Sequence, residues 1–200
     1  EALCREVEAT GAALKEAGRA VRSLYMGGGT PTTLSAAQLD RVLAAMEEHL
    51  PLSRCSEFTV EAGRPDTIDP EKMAVLARHG VDRVSVNPQS MNDSVLEKMG
   101  RPHTAGDIRR AYEQVRNAGK FAVNMDLIAG LPGDSPAGFA ASLGEVMELG
   151  PENITVHTLA LKKGSRLMEH PEELPGDGEV EVMLNAAWEA LSRAALFLKC

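Results

Sequence analysis

The sequence predicts an α/β protein: parallel strands joined by helical crossovers, in the arrangement of a (β/α) barrel or part of one. Three observations predict it. Short apolar runs alternate with amphipathic stretches at a repeat of roughly 30 residues, which is the length of a βαβ unit. Glycine, proline and capping residues punctuate each change of period. Polar residues stand at the C-terminal end of every apolar run, and barrel sites collect at the C-terminal ends of several strands. A doubly wound sheet shares the rhythm but concentrates its site at one switch point.

In chain order, residues 2–17 carry Ala2, Leu3, Val7, Ala13 and Leu14 between charged residues and read as a helix ending near Gly18. A strand follows at 23–26. Ser35 caps the next helix with Gln38 as capping-box partner. Leu39, Val42, Leu43 and Met46 form its apolar stripe, and Pro51 stops it. Residues 58–61 are the second strand. Asp69 and Pro70 make an N-cap and N1 pair for a helix ending at His79-Gly80, and 83–87 is the third strand. Thr104 starts a helix ending at Ala118-Gly119, and 121–128 is the fourth strand. Ser135 to Leu149 is a helix stopped by Gly150-Pro151, and 153–161 is the fifth strand. Residues 164–178 read as loop, and 179–198 as a long final helix.

The chain has 200 residues, a net charge of −8 and 44% hydrophobic residues, enough for one domain with a sizeable core. The acidic balance argues against a nucleic-acid groove or an anionic membrane surface as principal partner. No apolar run reaches the roughly 20 residues of a membrane span, and no signal peptide is visible. Cys4, Cys55 and Cys200 fit no metal spacing and no disulfide framework; reduced thiols in a cytoplasmic protein are expected. Glu1 opens inside a helical pattern and Cys200 closes on an apolar run, so an internal piece of a longer protein is expected.

The stretch Tyr25-Met26-Gly27-Gly28-Gly29-Thr30-Pro31-Thr32 ends a strand in three glycines. Without Cβ atoms such a turn can take positive φ and approach a ligand closely with its N–H groups exposed; a tight strand-to-helix turn also accounts for it. Its spacing is not that of a dinucleotide fingerprint. Glu61 closes the second strand, where a carboxylate can accept both hydroxyls of a ribose or pair with Arg64. Gln89, just past the third strand, can donate and accept toward a zwitterion or serve as a turn residue. Arg101 before a helix suits a carboxylate, or solvent. Asp126 lies inside an apolar run, where an unpaired carboxylate is costly. His49, His79 and His170 are expected in solvent; His103 and His157 stand near strand ends.

With Val60-Glu61, Asn87-Pro88-Gln89-Ser90, Gly100-Arg101-Pro102-His103-Thr104 and Met125-Asp126-Leu127-Ile128-Ala129-Gly130-Leu131-Pro132-Gly133, the glycine block resembles the radical S-adenosylmethionine enzymes of the oxygen-independent coproporphyrinogen III oxidase group. The resemblance covers roughly residues 1–170, and through Glu61-Ala62-Gly63-Arg64-Pro65-Asp66 and Asn87-Pro88-Gln89 the chain resembles the coproporphyrinogen dehydrogenase branch. The resemblance implies a partial (β/α)6 radical-SAM barrel, truncated at both ends, occupying 1–200. It implies that Gly27, Gly28, Gly29 and Thr30 hold the methionine amino group of S-adenosylmethionine. Glu61 takes the ribose, Gln89, Arg101 and Asp126 complete the polar contacts, and Ile128 and His157 flank the adenine. The family's [4Fe–4S] cluster needs three cysteines spaced CxxxCxxC, a motif this chain lacks and which family order places just before residue 1, so the chain alone is expected to be inactive. The whole protein would decarboxylate coproporphyrinogen III propionates oxidatively to vinyl groups in haem biosynthesis, with flavodoxin or ferredoxin as electron donor. The alternatives are a haem-binding chaperone of the same family, with His103 or His157 as axial ligand, and an unrelated (β/α) enzyme whose glycine turn binds phosphate.

Overall fold

The computed structural model describes residues 1–161, 171–194 and 198–199. Its elements run α1 (Ala2–Glu16), β1 (Ser23–Met26), α2 (Ala36–His49), β2 (Glu57–Glu61), α3 (Pro70–Arg78), β3 (Arg83–Gln89), α4 (Asp93–Lys98), α5 (Ala105–Ala118), β4 (Ala122–Ala129), α6 (Pro136–Leu149), β5 (Asn153–Thr158), α7 (Asp177–Arg193) and β6 (Leu198–Lys199). They fall into two compact units, residues 1–85 with 111–122, and residues 86–110 with 123–200.

In the first unit, β1 pairs parallel with β2, and β2 with the start of β3. The capping box of α2 forms as expected: Gln38 N–H donates to Ser35 Oγ at 3.3 Å, and Ser35 N–H to Gln38 Oε1 at 2.9 Å. Leu39, Val42, Leu43 and Met46 then bury one helical face. Full burial of a leucine such as Leu39 or Leu43 stabilises by about 2 kcal/mol. Gly11 lets α1 meet α2 closely, since a Cβ there would lie 2.3 Å from the His49 carbonyl oxygen. Asp69 caps α3, accepting from Lys72 N–H at 2.9 Å.

The second unit holds the end of β3 with β4, β5 and β6, and both described pairings, β4 with β5 and β5 with β6, are parallel. Ser135 caps α6 through Gly138 N–H at 3.1 Å, and Gly150 ends it in the left-handed conformation, φ 73°. Parallel βα order is the expected architecture.

Alternation sorts the strands into two faces. Phe58, Val60, Val84, Val86, Met125, Leu127, Ile154 and Val156 are buried core. The intervening positions are largely polar: Thr59 and Glu61 on β2, Ser85, Asn87 and Gln89 on β3, Asn124 and Asp126 on β4, Thr155 and His157 on β5. Successive side chains of a strand point to opposite faces, so on each strand these polar residues share the face away from its apolar positions, and Thr59, Ser85, Asn87 and Asn124 are buried there.

Several expectations are corrected. The third strand runs on through Pro88 to Gln89. The sequence reading assigns no element between the third strand and Thr104, where the structure has α4; Asn92 caps it by accepting from Ser94 N–H at 3.0 Å. β5 ends at Thr158 rather than residue 161. The final helix begins at Asp177, inside the expected loop, and ends at Arg193. Leu198 belongs to a strand paired to β5, because an apolar run suits a buried strand as well as a helix. Residues 162–170, which include the expected loop from Gly164 and His170, and residues 195–197 and Cys200 lie outside the described residues.

Candidate functional site

The first unit assembles the glycine turn against Glu61. β1 and β2 are registered so that Met26 faces Val60, which brings both strand ends level. Gly27 is the tight position: a Cβ there would stand 2.3 Å from the Tyr25 ring and 2.6 Å from Glu61 Oε2. Gly28 takes φ 92°, and its N–H donates to Glu61 Oε2 at 3.3 Å. Above Gly29 a Cβ would meet nothing within 4 Å, so the turn opens to space on its outer side. Thr30 closes the turn, its carbonyl accepting from Thr33 N–H at 2.9 Å and Thr33 Oγ1 at 2.7 Å. Arg64 pairs in two-pronged fashion with Asp66, at 3.1 and 2.9 Å.

Within the second unit, Gln89 stands out twice. It is the one non-glycine residue among those described with positive φ, 67°. Its side-chain Oε1 is also buried without a hydrogen-bond partner. Strained backbone and an unsatisfied buried acceptor each cost free energy. Arg101 follows Gly100, whose φ of 67° ends α4, and Arg101 N–H donates to the Leu96 carbonyl at 2.9 Å.

Asp126 is half-buried and held by a relay. Thr155 Oγ1 donates to Asn124 Oδ1 at 2.9 Å, and Asn124 Nδ2 donates to Asp126 Oδ1 at 2.6 Å. Register places Asp126 opposite Thr155 and Ile128 opposite His157, on one face of β4 and β5. His157 is exposed and lines a cavity of about 360 Å³ with Thr158, Leu184 and Trp188. Asn124 and Thr155 escaped the sequence reading, although Asn124 stands two residues before Asp126 and so shares its face.

His79 is not in solvent as expected. Its side chain is 9% exposed, with Nε2 2.7 Å from Asp40 and Nδ1 3.0 Å from Glu47. The imidazole and the adjacent Arg78 hold the Asp40 carboxyl below its ordinary pKa. Asp134, before α6, is shifted the other way by burial, with one carboxyl oxygen lacking a partner. Cys4 and Cys55 are free thiols, and no group of three His, Cys, Asp or Glu side chains among the described residues could hold a metal ion. These residues do not fit an iron–sulfur cluster. Within the first unit, a glycine turn with a carboxylate level beside it has the chemistry to meet the amino and hydroxyl groups of a nucleoside-bearing zwitterion.

Residues 4–145 match the Radical SAM superfamily. The chain belongs to that family. It is 42% identical over 185 residues to the oxygen-independent coproporphyrinogen-III oxidase-like protein HemZ of Bacillus subtilis (strain 168), covering 91% of this chain and 37% of the relative. It is 38% identical over 142 residues to the heme chaperone HemW of Lactococcus lactis subsp. lactis (strain IL1403), covering 71% of this chain and 37% of the relative. Its fold is similar to that of the solved coproporphyrinogen III oxidase HemN from Escherichia coli, with TM-score 0.85 and 28% identity, covering 96% of this chain and 44% of that one. The radical-SAM chain thus spans less than half the length of each of these relatives. The α/β radical-SAM fold expected from the sequence stands, and an unrelated (β/α) enzyme is excluded. S-adenosylmethionine and a [4Fe–4S] cluster are the cofactors of this family. No helix among the described residues is long and apolar enough to cross a membrane.

Proposed function

We propose that this chain is the S-adenosylmethionine-binding part of a radical-SAM protein that handles a porphyrinogen or haem. The observation that carries the reading is the glycine turn: Gly27 has no room for a Cβ, and Gly28 N–H is hydrogen-bonded to Glu61 at 3.3 Å. In the first unit, Gly27 to Thr30 would take the methionine amino group and Glu61 the ribose hydroxyls. In the second, Gln89, Arg101 and Asp126 would make polar contacts to the cofactor, with Arg101 suited to its carboxylate, while Ile128 and His157 would flank the adenine. When bound, S-adenosylmethionine supplies one-electron oxidising chemistry; the chain's own residues bind and orient it.

For the whole protein we infer oxidative decarboxylation of coproporphyrinogen III propionates, with flavodoxin or ferredoxin as electron donor. Similarity to the HemZ and HemN proteins supports this reading. The test of the binding role is thermal unfolding with and without millimolar S-adenosylmethionine. Protection is expected, and Glu61→Gln should weaken it about tenfold through loss of charge-assisted hydrogen bonds. No protection in the unmodified chain overturns the reading.

Similarity to HemW favours a second reading, haem delivery without decarboxylation. Haem titration followed at the Soret band, repeated with His103 and His157 replaced in turn, separates the two. Loss of the Soret shift in one replacement supports the chaperone; no shift in the unmodified chain removes it.

A further inference from the structure

The turn that follows β1 and the loop that follows β2 are joined by a partly buried hydroxyl chain. Thr67 Oγ1 donates to the Arg64 carbonyl at 2.7 Å. Thr32 Oγ1 lies 2.6 Å from Thr67 Oγ1. A hydroxyl has one proton. Because the Thr67 proton is committed to Arg64, Thr32 is the donor between the two threonines. The order is therefore fixed: Thr32 to Thr67 to the Arg64 carbonyl.

Thr32 is fully buried. It stands two residues past Thr30, in the short 3₁₀ turn Pro31–Thr33. Thr67 ends the matching 3₁₀ turn, Pro65–Thr67, six residues after Glu61 (67 − 61). That second loop is pinned at both ends. Ala62 N–H donates to the Ser85 carbonyl at 2.8 Å, and Lys72 Nζ donates to the Thr67 carbonyl at 3.0 Å. The first turn is closed on itself by Thr33, whose N–H and hydroxyl donate to the Thr30 carbonyl, and a single 3.3 Å bond from Gly28 N–H to Glu61 reaches across to the second strand. Gly27, Gly28 and Gly29 are exposed, and glycine carries the largest backbone freedom of any residue.

We propose that Thr32 and Thr67 are positioning residues that hold the glycine turn at a set distance from Glu61. This inference rests on the adenosyl reading above. A ligand that must engage the turn with one end and Glu61 with the other gains from a preset spacing, because the ordering cost is met before binding. A ligand that engages Glu61 alone gains little. The chain thus bears on affinity for the two-ended ligand.

The test compares S-adenosylhomocysteine with adenosine by calorimetry, alongside amide hydrogen exchange. In Thr67→Val the chain is broken with little change of volume. S-adenosylhomocysteine should bind about tenfold more weakly, the worth of one ordered hydrogen bond, and adenosine by less than about twofold. Amide exchange at Gly28 should rise in the free protein, with exchange in α3 unchanged. Thr67→Ser keeps the hydroxyl and should match the unmodified chain in both measurements. Equal weakening of both ligands, unchanged exchange at Gly28, or a Thr67→Ser as weak as Thr67→Val overturns the inference while leaving the adenosyl reading intact. An unmodified chain that binds neither ligand overturns both.

Discussion

Gly28 N–H points at Glu61 Oε2 across 3.3 Å, joining residues 33 apart in the chain. The contact exists because β1 and β2 end level, and because Gly27 brings no Cβ into the gap. Gly27→Ala must displace both the Tyr25 ring and the Glu61 carboxylate. Gly29→Ala meets nothing within 4 Å and needs no positive φ. The expected outcome is that Gly29→Ala unfolds at the unmodified temperature, while Gly27→Ala loses about 1–3 kcal/mol, the range for overpacking. If a ligand occupies the open side of the turn, Gly29→Ala still loses S-adenosylmethionine affinity. Calorimetry on the folded Gly29→Ala protein checks this.

Gln89 trades stability for an unmet acceptor. A non-glycine residue at φ 67° stores about 1–2 kcal/mol. Gln89→Gly relieves that strain and removes the orphaned oxygen. After the unfolded-state entropy of glycine is subtracted, a gain of about 1 kcal/mol remains, or a rise of about 2–4 °C in unfolding temperature. Affinity for S-adenosylmethionine should fall in the same variant. A Gln89→Gly protein that is less stable than the unmodified chain would show that the side chain serves the fold.

The Asn124 amide holds Asp126 through one hydrogen bond and accepts from Thr155 through another, both inside a strand pair. Asn124→Ala removes the bridge and leaves the Asp126 oxygen and the Thr155 hydroxyl short of a partner. A loss of about 2 kcal/mol is expected in chemical denaturation. Asn124→Asp places a second carboxylate beside the first, and its deficit should shrink as the pH falls and one of the pair protonates.

What the sequence made legible was local. The capping box of α2 and the Asp69-Pro70 start of α3 involve partners three residues apart, so their signals stand next to each other in the chain. The run at 23–26 is bounded by charge on one side and glycine on the other, and β1 has those bounds. α4 stayed hidden because six residues do not complete two helical turns, so no period shows. β6 was read as helix because an apolar run has no period of its own; pairing with Ile154 decides it. The Thr32–Thr67 contact joins residues 35 apart, and nothing about either threonine marks it as buried or paired. His79 looked like a solvated helix end, but its fate depends on two carboxylates of α2, which only packing brings to it.

Two carboxylates should answer pH in opposite senses. The His79 imidazole, followed by Arg78, holds Asp40 below its ordinary pKa of 3.8 in the fold. Its stabilising contribution is therefore complete above 3.8 and is lost as the pH falls through the lowered folded value. Burial raises Asp134 above 3.8. Its ionised form is disfavoured by the fold, so it destabilises once the pH has passed through the raised value and costs nothing below 3.8. Asp134→Asn keeps an oxygen for Ser135 N–H, which the native carboxyl accepts at 2.8 Å, and carries no charge. The variant should be more stable than the unmodified chain at pH 7, and the difference should vanish near pH 3. Asp40→Asn should be less stable at pH 7, with its deficit closing on acidification over the range below 3.8. Urea unfolding of the three proteins at pH 7, 5 and 3 measures both curves, and an Asp134→Asn advantage that persists at pH 3 would place its origin in packing rather than in charge.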